Sequence, residues 1–110
     1  MPSITLLDLV KYRGPYEYND YAEINFTSAE TSYIVGTNTN KAISGSWPSN
    51  VAAKSILLYA TQDCYVRFNN PKAVQHRLLA GVFYQFNLKV HTIYVVRVTS
   101  DGVLYAWFEG

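Results

Sequence analysis

The sequence predicts an all-β chain: one antiparallel β-sandwich or jelly-roll-like domain of about 7–9 short strands, preceded by an irregular N-terminal arm. Three observations carry this prediction. Apolar and polar residues alternate in short blocks through the second half of the chain, the signature of half-buried strands. Turn-forming residues separate those blocks. No stretch sustains the 3.6-residue apolar stripe of an ordinary helix: residues 49–58 lack one, and residues 72–79 allow about two turns at most.

The elements follow in chain order. Residues 4–12 can form a strand. Residues 13–20 are turn-forming but carry Tyr16 and Tyr18, flanked by Tyr12 and Tyr21, so they read as an arm or an interface loop with aromatic contact area. Together residues 1–21 make the predicted arm. Residues 21–28 alternate through Ala22, Ile24, Phe26 and Ser28, and residues 32–35 are short and apolar. Residues 36–50, rich in Gly, Ser, Thr and Asn around Trp47-Pro48, form the longest predicted loop.

Ser55–Ala60 is an apolar strand, and Thr61-Gln62-Asp63 turns the chain into Cys64–Phe68, where Cys64, Val66 and Phe68 share a face. That pair reads as a hairpin. Asn69-Asn70-Pro71-Lys72 ends the strand, because proline lacks the amide proton that a central strand donates, and the segment to Gly81 reads as a loop or a single turn. Residues 82–88 place Val82, Tyr84, Phe86 and Leu88 on one side, and residues 92–99 hold the strongest β-branched run. Asp101-Gly102 suits a tight hairpin that returns residues 103–108 alongside that run, with the last strand inside the sheet. No internal repeat or interdomain linker is visible, so residues 1–110 read as one domain.

Composition bounds the function. A formal charge of +1 leaves no basic excess for a broad nucleic-acid surface. No stretch approaches the length that spans a bilayer, and the first ten residues lack a basic leader, so neither a signal peptide nor an anchor is expected. Cys64 is the single cysteine, which excludes an intramolecular disulfide and a Cys-rich zinc site. On the face it shares with Val66 and Phe68 it reads as a buried structural thiol.

His76 and His91 lack the close spacing of metal ligands on one local element, and no EF-hand pattern accompanies them. Asp20, Glu23 and Glu30 lie in or near predicted loops, where solvation is the plain reading. The six glycines are isolated and form no phosphate-binding pattern. No catalytic residue, cofactor site or metal site is therefore assigned, and an enzyme is the least favoured class. Only a cleft uniting Cys64, Asp63 and a histidine would revive it.

What remains is aromatic: ten Tyr, five Phe and two Trp. Phe26, Phe68, Phe86 and Tyr94 fit strand faces and core. The loop aromatics Tyr12, Tyr16, Tyr18, Tyr21 and Trp47, with Arg13 among them, are harder to place in one small core. They are the candidate contacts to another protein chain or a sugar ring. Arg67 beside Tyr65 is better explained by packing between strands than by stacking on nucleic-acid bases.

From Ser55 onward the blocks "ILLYATQDCYVRF", "GVFYQFNLKV", "IYVVRV" and "VLYAWFEG" resemble small β-sandwich virion proteins of tailed bacteriophages, in particular capsid decoration or cement proteins. The resemblance covers about half the chain and brings no catalytic residues with it. It implies a protein made in the host cytoplasm that joins the virion, clamps neighbouring capsid subunits and forms a symmetric oligomer. Its N-terminal arm would add a strand to a neighbour. Two other readings stand beside it: a tail, neck or fibre component, and a carbohydrate-binding module in which Trp47, Asn38 and Asn40 contact the sugar.

Overall fold

A computed structural model describes residues 19–37 and 51–110. Among the described residues there are eight strands and no helix. The strands are β1 (Asn19–Phe26), β2 (Thr31–Ile34), β3 (Ser55–Ala60), β4 (Cys64–Phe68), β5 (His76–Leu78), β6 (Phe83–Phe86), β7 (Thr92–Arg97) and β8 (Gly102–Glu109). They form two four-stranded antiparallel sheets, ordered β1-β8-β3-β6 and β2-β7-β4-β5. We call these the first and second sheet.

The order has a simple logic. First pairs with last, second with seventh, third with sixth and fourth with fifth. The chain is thus a long antiparallel hairpin of strand pairs, wrapped so that alternate pairs fall in opposite sheets. This is the jelly-roll arrangement of two interleaved Greek keys. Further pairing of β8 with β3 and of β7 with β4 closes each sheet.

The alternation predicted from sequence decides which side chains meet between the sheets. Ala22, Ile24 and Phe26 of β1, Ile56, Leu58 and Ala60 of β3, and Leu104, Ala106 and Phe108 of β8 line the inner face of the first sheet. They meet Cys64, Val66 and Phe68 of β4, Ile93 and Val95 of β7, and Leu78 of β5. Burying each large apolar side chain stabilises the fold by about 1.5–3 kcal/mol, which is why a period of two specifies the faces so firmly. Asp20 ties the two sheets together at the β1 and β2 edges, its Oδ2 accepting from Tyr33 Oη–H and, at 2.6 Å, from Gly36 N–H.

Several expectations are corrected. The β3–β4 connection is not a hairpin, since β3 pairs with β6 and β8 in the first sheet while β4 pairs with β5 and β7 in the second. The same holds for β7 and β8, which also lie in different sheets. Both polar turns carry the chain across the sandwich, from one sheet to the other.

Gly102 has no positive φ, unlike Gly36 and Gly81, and is the extended first residue of β8 paired with Phe26. It is needed for closeness: a Cβ there would lie 2.7 Å from Phe26 Cζ and 2.9 Å from Thr61 Oγ1.

The segment expected to be a loop before Gly81 contains β5, which makes, with β4, the one hairpin within a sheet among the described strands. Its residues, His-Arg-Leu, carry almost no strand signal of their own. Asn69, at φ 70°, begins that connection in the left-handed region that Asn tolerates. Its side chain accepts from His91 N–H at 2.8 Å and donates to the Lys89 carbonyl at 2.8 Å, latching the turn to the β6–β7 loop.

Smaller differences concern strand ends. β1 starts at Asn19, so residues 19–21 of the expected arm belong to the sheet, and it stops at Phe26 before Ser28. β6 is four residues long and leaves Val82 exposed, although Tyr84, Phe86 and Leu88 do pack on the core. β7 ends at Arg97. The strand expected at residues 4–12, most of the arm and residues 38–50 of the long loop lie outside the described residues.

Candidate functional site

The outward face of the first sheet departs from the polar composition expected of a sheet face turned away from the core. In register across it run Tyr21, Trp107 and Leu57, and one row over Tyr105, Tyr59 and Phe83. Ring centroids lie 5.4 Å apart for Tyr21 and Trp107, 6.3 Å for Tyr59 and Tyr105, and 4.7 Å for Tyr59 and Phe83. These are contact distances for tilted aromatic pairs, each adding about 0.5–1.5 kcal/mol beyond burial.

Trp107 is 0% exposed and Leu57 9%, so this face holds a second apolar cluster, separate from the core between the sheets. Tyr21, Tyr59 and Tyr105 are half-buried against it, and Phe83 remains 44% exposed. The face is bordered by polar groups. Tyr21 Oη donates to Glu23 Oε1 at 2.7 Å. Burial first, then the bond and charge of Glu23, push the Tyr21 phenol well above its ordinary pKa, so it stays a neutral donor. At one end Ser55 Oγ donates to Asn87 Oδ1 at 3.2 Å, beside Glu109, which is 0% exposed.

The outer face of the second sheet is a contrast. Arg67 pairs with Glu30 at 3.0 Å and Arg77 with Asp63 at 3.0 Å, while the Arg77 guanidinium lies 6.0 Å from the Tyr65 ring centroid. Arg97 pairs with Asp101 at 2.6 Å at the end of the sheet. Each of these guanidinium groups has a carboxylate partner, so the face presents no cationic stripe, and such solvent-screened surface pairs add little to the stability of the fold. Tyr65 of β4 thus lies beside Arg77 of β5, and Arg67 is held by Glu30 just before β2.

The reactive side chains do not converge. Cys64 is fully buried in the core. The Asp63 carboxylate accepts from Ala80 N–H at 2.9 Å as well as from Arg77, and these bonds hold its pKa below the ordinary value. The His76 ring lies against Phe68 and Phe86, at 5.5 and 5.7 Å, and His91 Nδ1 sits 2.9 Å from Thr92 Oγ1. Among the described residues no group of three or more His, Cys, Asp or Glu side chains gathers in metal-binding range. Two hollows open among the described residues. One of about 340 Å³ is lined by Ile34, Val35, Val51, Ala52 and His91, and a polar one of about 250 Å³ by Gln62, Asp63, Thr99 and Ser100.

Cys64 supports a prediction. Burial, and then the charge of Asp63, raise its thiol from 9.0 to about 12. Because the folded pKa lies above the unfolded one, the contribution to stability is complete below about pH 9 and is lost as pH rises toward about 12, where the unfolded chain alone has given up its proton. A thiol reagent near neutral pH is expected to modify Cys64 at the rate of unfolding. Rapid stoichiometric labelling of native protein, followed by mass spectrometry, would contradict its burial.

Of the residues singled out from sequence, Tyr21 is placed in β1 on the aromatic face and not in a loop. Tyr12, Arg13, Tyr16, Tyr18, Trp47, Asn38 and Asn40 lie outside the described residues. Sequence reading missed Tyr59, Tyr105, Trp107 and Phe83 as one surface. The signal was present in the even spacing of Tyr105 and Trp107 and of Leu57 and Tyr59, which alternate with core residues and must therefore point outward. Comparison with family models, with curated proteins and with solved structures returns no match.

Proposed function

We propose that this chain is a non-enzymatic virion structural protein of a bacteriophage, a capsid decoration or cement protein that binds and stabilises neighbouring capsid subunits. The observation that carries the reading is the aromatic outward face of the first sheet. It places Tyr21, Tyr59, Phe83 and Tyr105 over a buried Trp107 and Leu57, and partly exposed aromatics are the residues that dominate protein interfaces. The jelly-roll strand order adds support by analogy, since capsid and lectin domains share it. A wrapped sandwich with both sheets pinned at Asp20 also suits a mechanical clamp.

Sugar binding is less well supported by this face. A pyranose stacks on an open ring, whereas Trp107 has no exposed area and the Tyr59 and Phe83 planes are inclined by 44°. A tail, neck or fibre position within the virion would use the same kind of surface.

The test is gradient sedimentation of a phage-producing lysate with the chain followed by mass spectrometry. Co-migration with intact particles is expected, and binding of purified protein to particles lacking it should fall at least about tenfold for Tyr105→Glu. Recovery only among small soluble proteins, or binding on a glycan array instead, would overturn the proposal.

A further inference from the structure

The two sheets differ in charge. The strands of the second sheet contribute Arg67, His76, Arg77 and Arg97 and no carboxylate. The strands of the first contribute Asp20, Glu23 and Glu109 and no basic residue. Asp20 and Glu109 are buried, so Glu23 is the exposed charge of that sheet. Among the described residues it takes one hydrogen bond, from Tyr21 Oη at 2.7 Å, and has no cationic partner, whereas Glu30, Asp63 and Asp101 each hold an arginine. A carboxylate offers about four acceptor positions, so Tyr21 orients the group and leaves both oxygens able to accept more.

Glu23 also stands opposite Tyr105 in the β1–β8 register, on the outward side that carries Tyr21 and Trp107. Residues directly opposite in an antiparallel pair have Cβ atoms about 4.5–5.5 Å apart. The second sheet shows what a ring beside a carboxylate holds: the Arg77 guanidinium lies 6.0 Å from the Tyr65 ring centroid and 3.0 Å from Asp63 Oδ2. The first sheet presents the same two groups, and no described arginine or lysine pairs with the carboxylate.

We infer that this face receives an arginine side chain from its protein partner, the guanidinium lying on the Tyr105 ring and pairing with Glu23. The inference rests on the reading of the face as a docking surface and adds the chemistry of what docks. Charge selects the occupant. An exposed carboxylate on a sheet without basic residues repels a nucleic acid or an acidic peptide. Guanidinium is favoured over ammonium because it is planar and weakly hydrated, and it stacks on a ring while its N–H groups bond a carboxylate. The Tyr21 and Tyr59 rings on either side of Tyr105 reduce the access of water to the pair and so strengthen it. One such contact is weak, and it gains from repetition when many copies bind one particle.

A nuclear magnetic resonance titration of the purified full chain tests it, with the blocked tripeptide Gly-Arg-Gly as probe and Gly-Lys-Gly and Gly-Glu-Gly as comparisons. The arginine peptide is expected to shift the backbone amide resonances of Glu23 and Tyr105. It should bind about threefold or more tighter than the lysine peptide, and the glutamate peptide should not bind. Glu23→Gln keeps an acceptor for Tyr21, so it should retain the native circular dichroism and weaken arginine binding about threefold, and Glu23→Lys should abolish it. Absence of shifts at Glu23 and Tyr105, equal binding of the lysine peptide, or unchanged binding to Glu23→Gln would each overturn the inference. The virion reading fails separately, on absence of co-migration with particles, which leaves the peptide result standing. Particle binding that is lost for Tyr105→Glu but undiminished for Glu23→Gln would keep the virion reading and reject the arginine contact.

Discussion

Trp107→Ala is expected to lower the unfolding free energy by about 3–5 kcal/mol, as much as a deletion between the sheets, although the residue sits on an outward face. The indole is completely enclosed, with Tyr21 on one neighbouring strand and Leu57 on the other. Removing it leaves a cavity that Tyr21, Tyr59 and Tyr105 cannot fill without leaving their rotamers. Trp107→Phe should cost clearly less. It keeps an aromatic ring and removes Nε1–H, which is buried without an acceptor among the described residues. Equilibrium urea unfolding gives both values; a loss under about 1 kcal/mol for the alanine variant would mean that the outward cluster contributes little to the fold.

Gly102→Val is expected to cost about 3 kcal/mol by overpacking. The first added carbon already falls 2.7 Å from Phe26 Cζ, 2.9 Å from Thr61 Oγ1 and 3.0 Å from Gln62 Cβ, and the branch adds two more. All three contacts belong to the place where β1, β8 and the β3–β4 connection meet. Val103 N–H donates to Thr61 Oγ1 there at 2.9 Å, so none can retreat freely. The cause is separable from backbone strain, because Gly102 is not left-handed. Pairing Gly102→Ala with Phe26→Leu should therefore be less destabilising than the sum of the single changes, by about 1 kcal/mol or more in a double-mutant cycle. Strict additivity would show that the close approach to Phe26 is not the source of the cost.

The same position shows where local reasoning stops. Asp101-Gly102 is a strong hairpin signal, and the structure uses it to cross from one sheet to the other. Thr61-Gln62-Asp63 behaves alike between β3 and β4. A turn signal reports that the chain reverses, whereas the partner of the next strand depends on which distant face it can bury against. β5 was illegible for the opposite reason: His76, Arg77 and Leu78 have little strand propensity, and pairing with β4 imposes the conformation. Trp107 was readable only in part. Its parity with Tyr105 points it outward, but the neighbours that flank it, Tyr21 and Leu57, depend on β1 and β3 pairing with β8.

By itself, then, the sequence determined that the chain is all-β, where most strands of its second half lie, and that Cys64, Val66 and Phe68 face the core. These follow from side-chain alternation and turn chemistry, which act over a few residues. Tertiary structure alone decided the wrapped strand order, the use of Gly102, the gathering of Tyr21, Tyr59, Phe83, Tyr105 and Trp107 into one face, and the place of Glu23 opposite Tyr105. Each depends on which strands lie side by side, and that choice is made by apolar area buried between residues far apart in sequence, to which local patterns are blind.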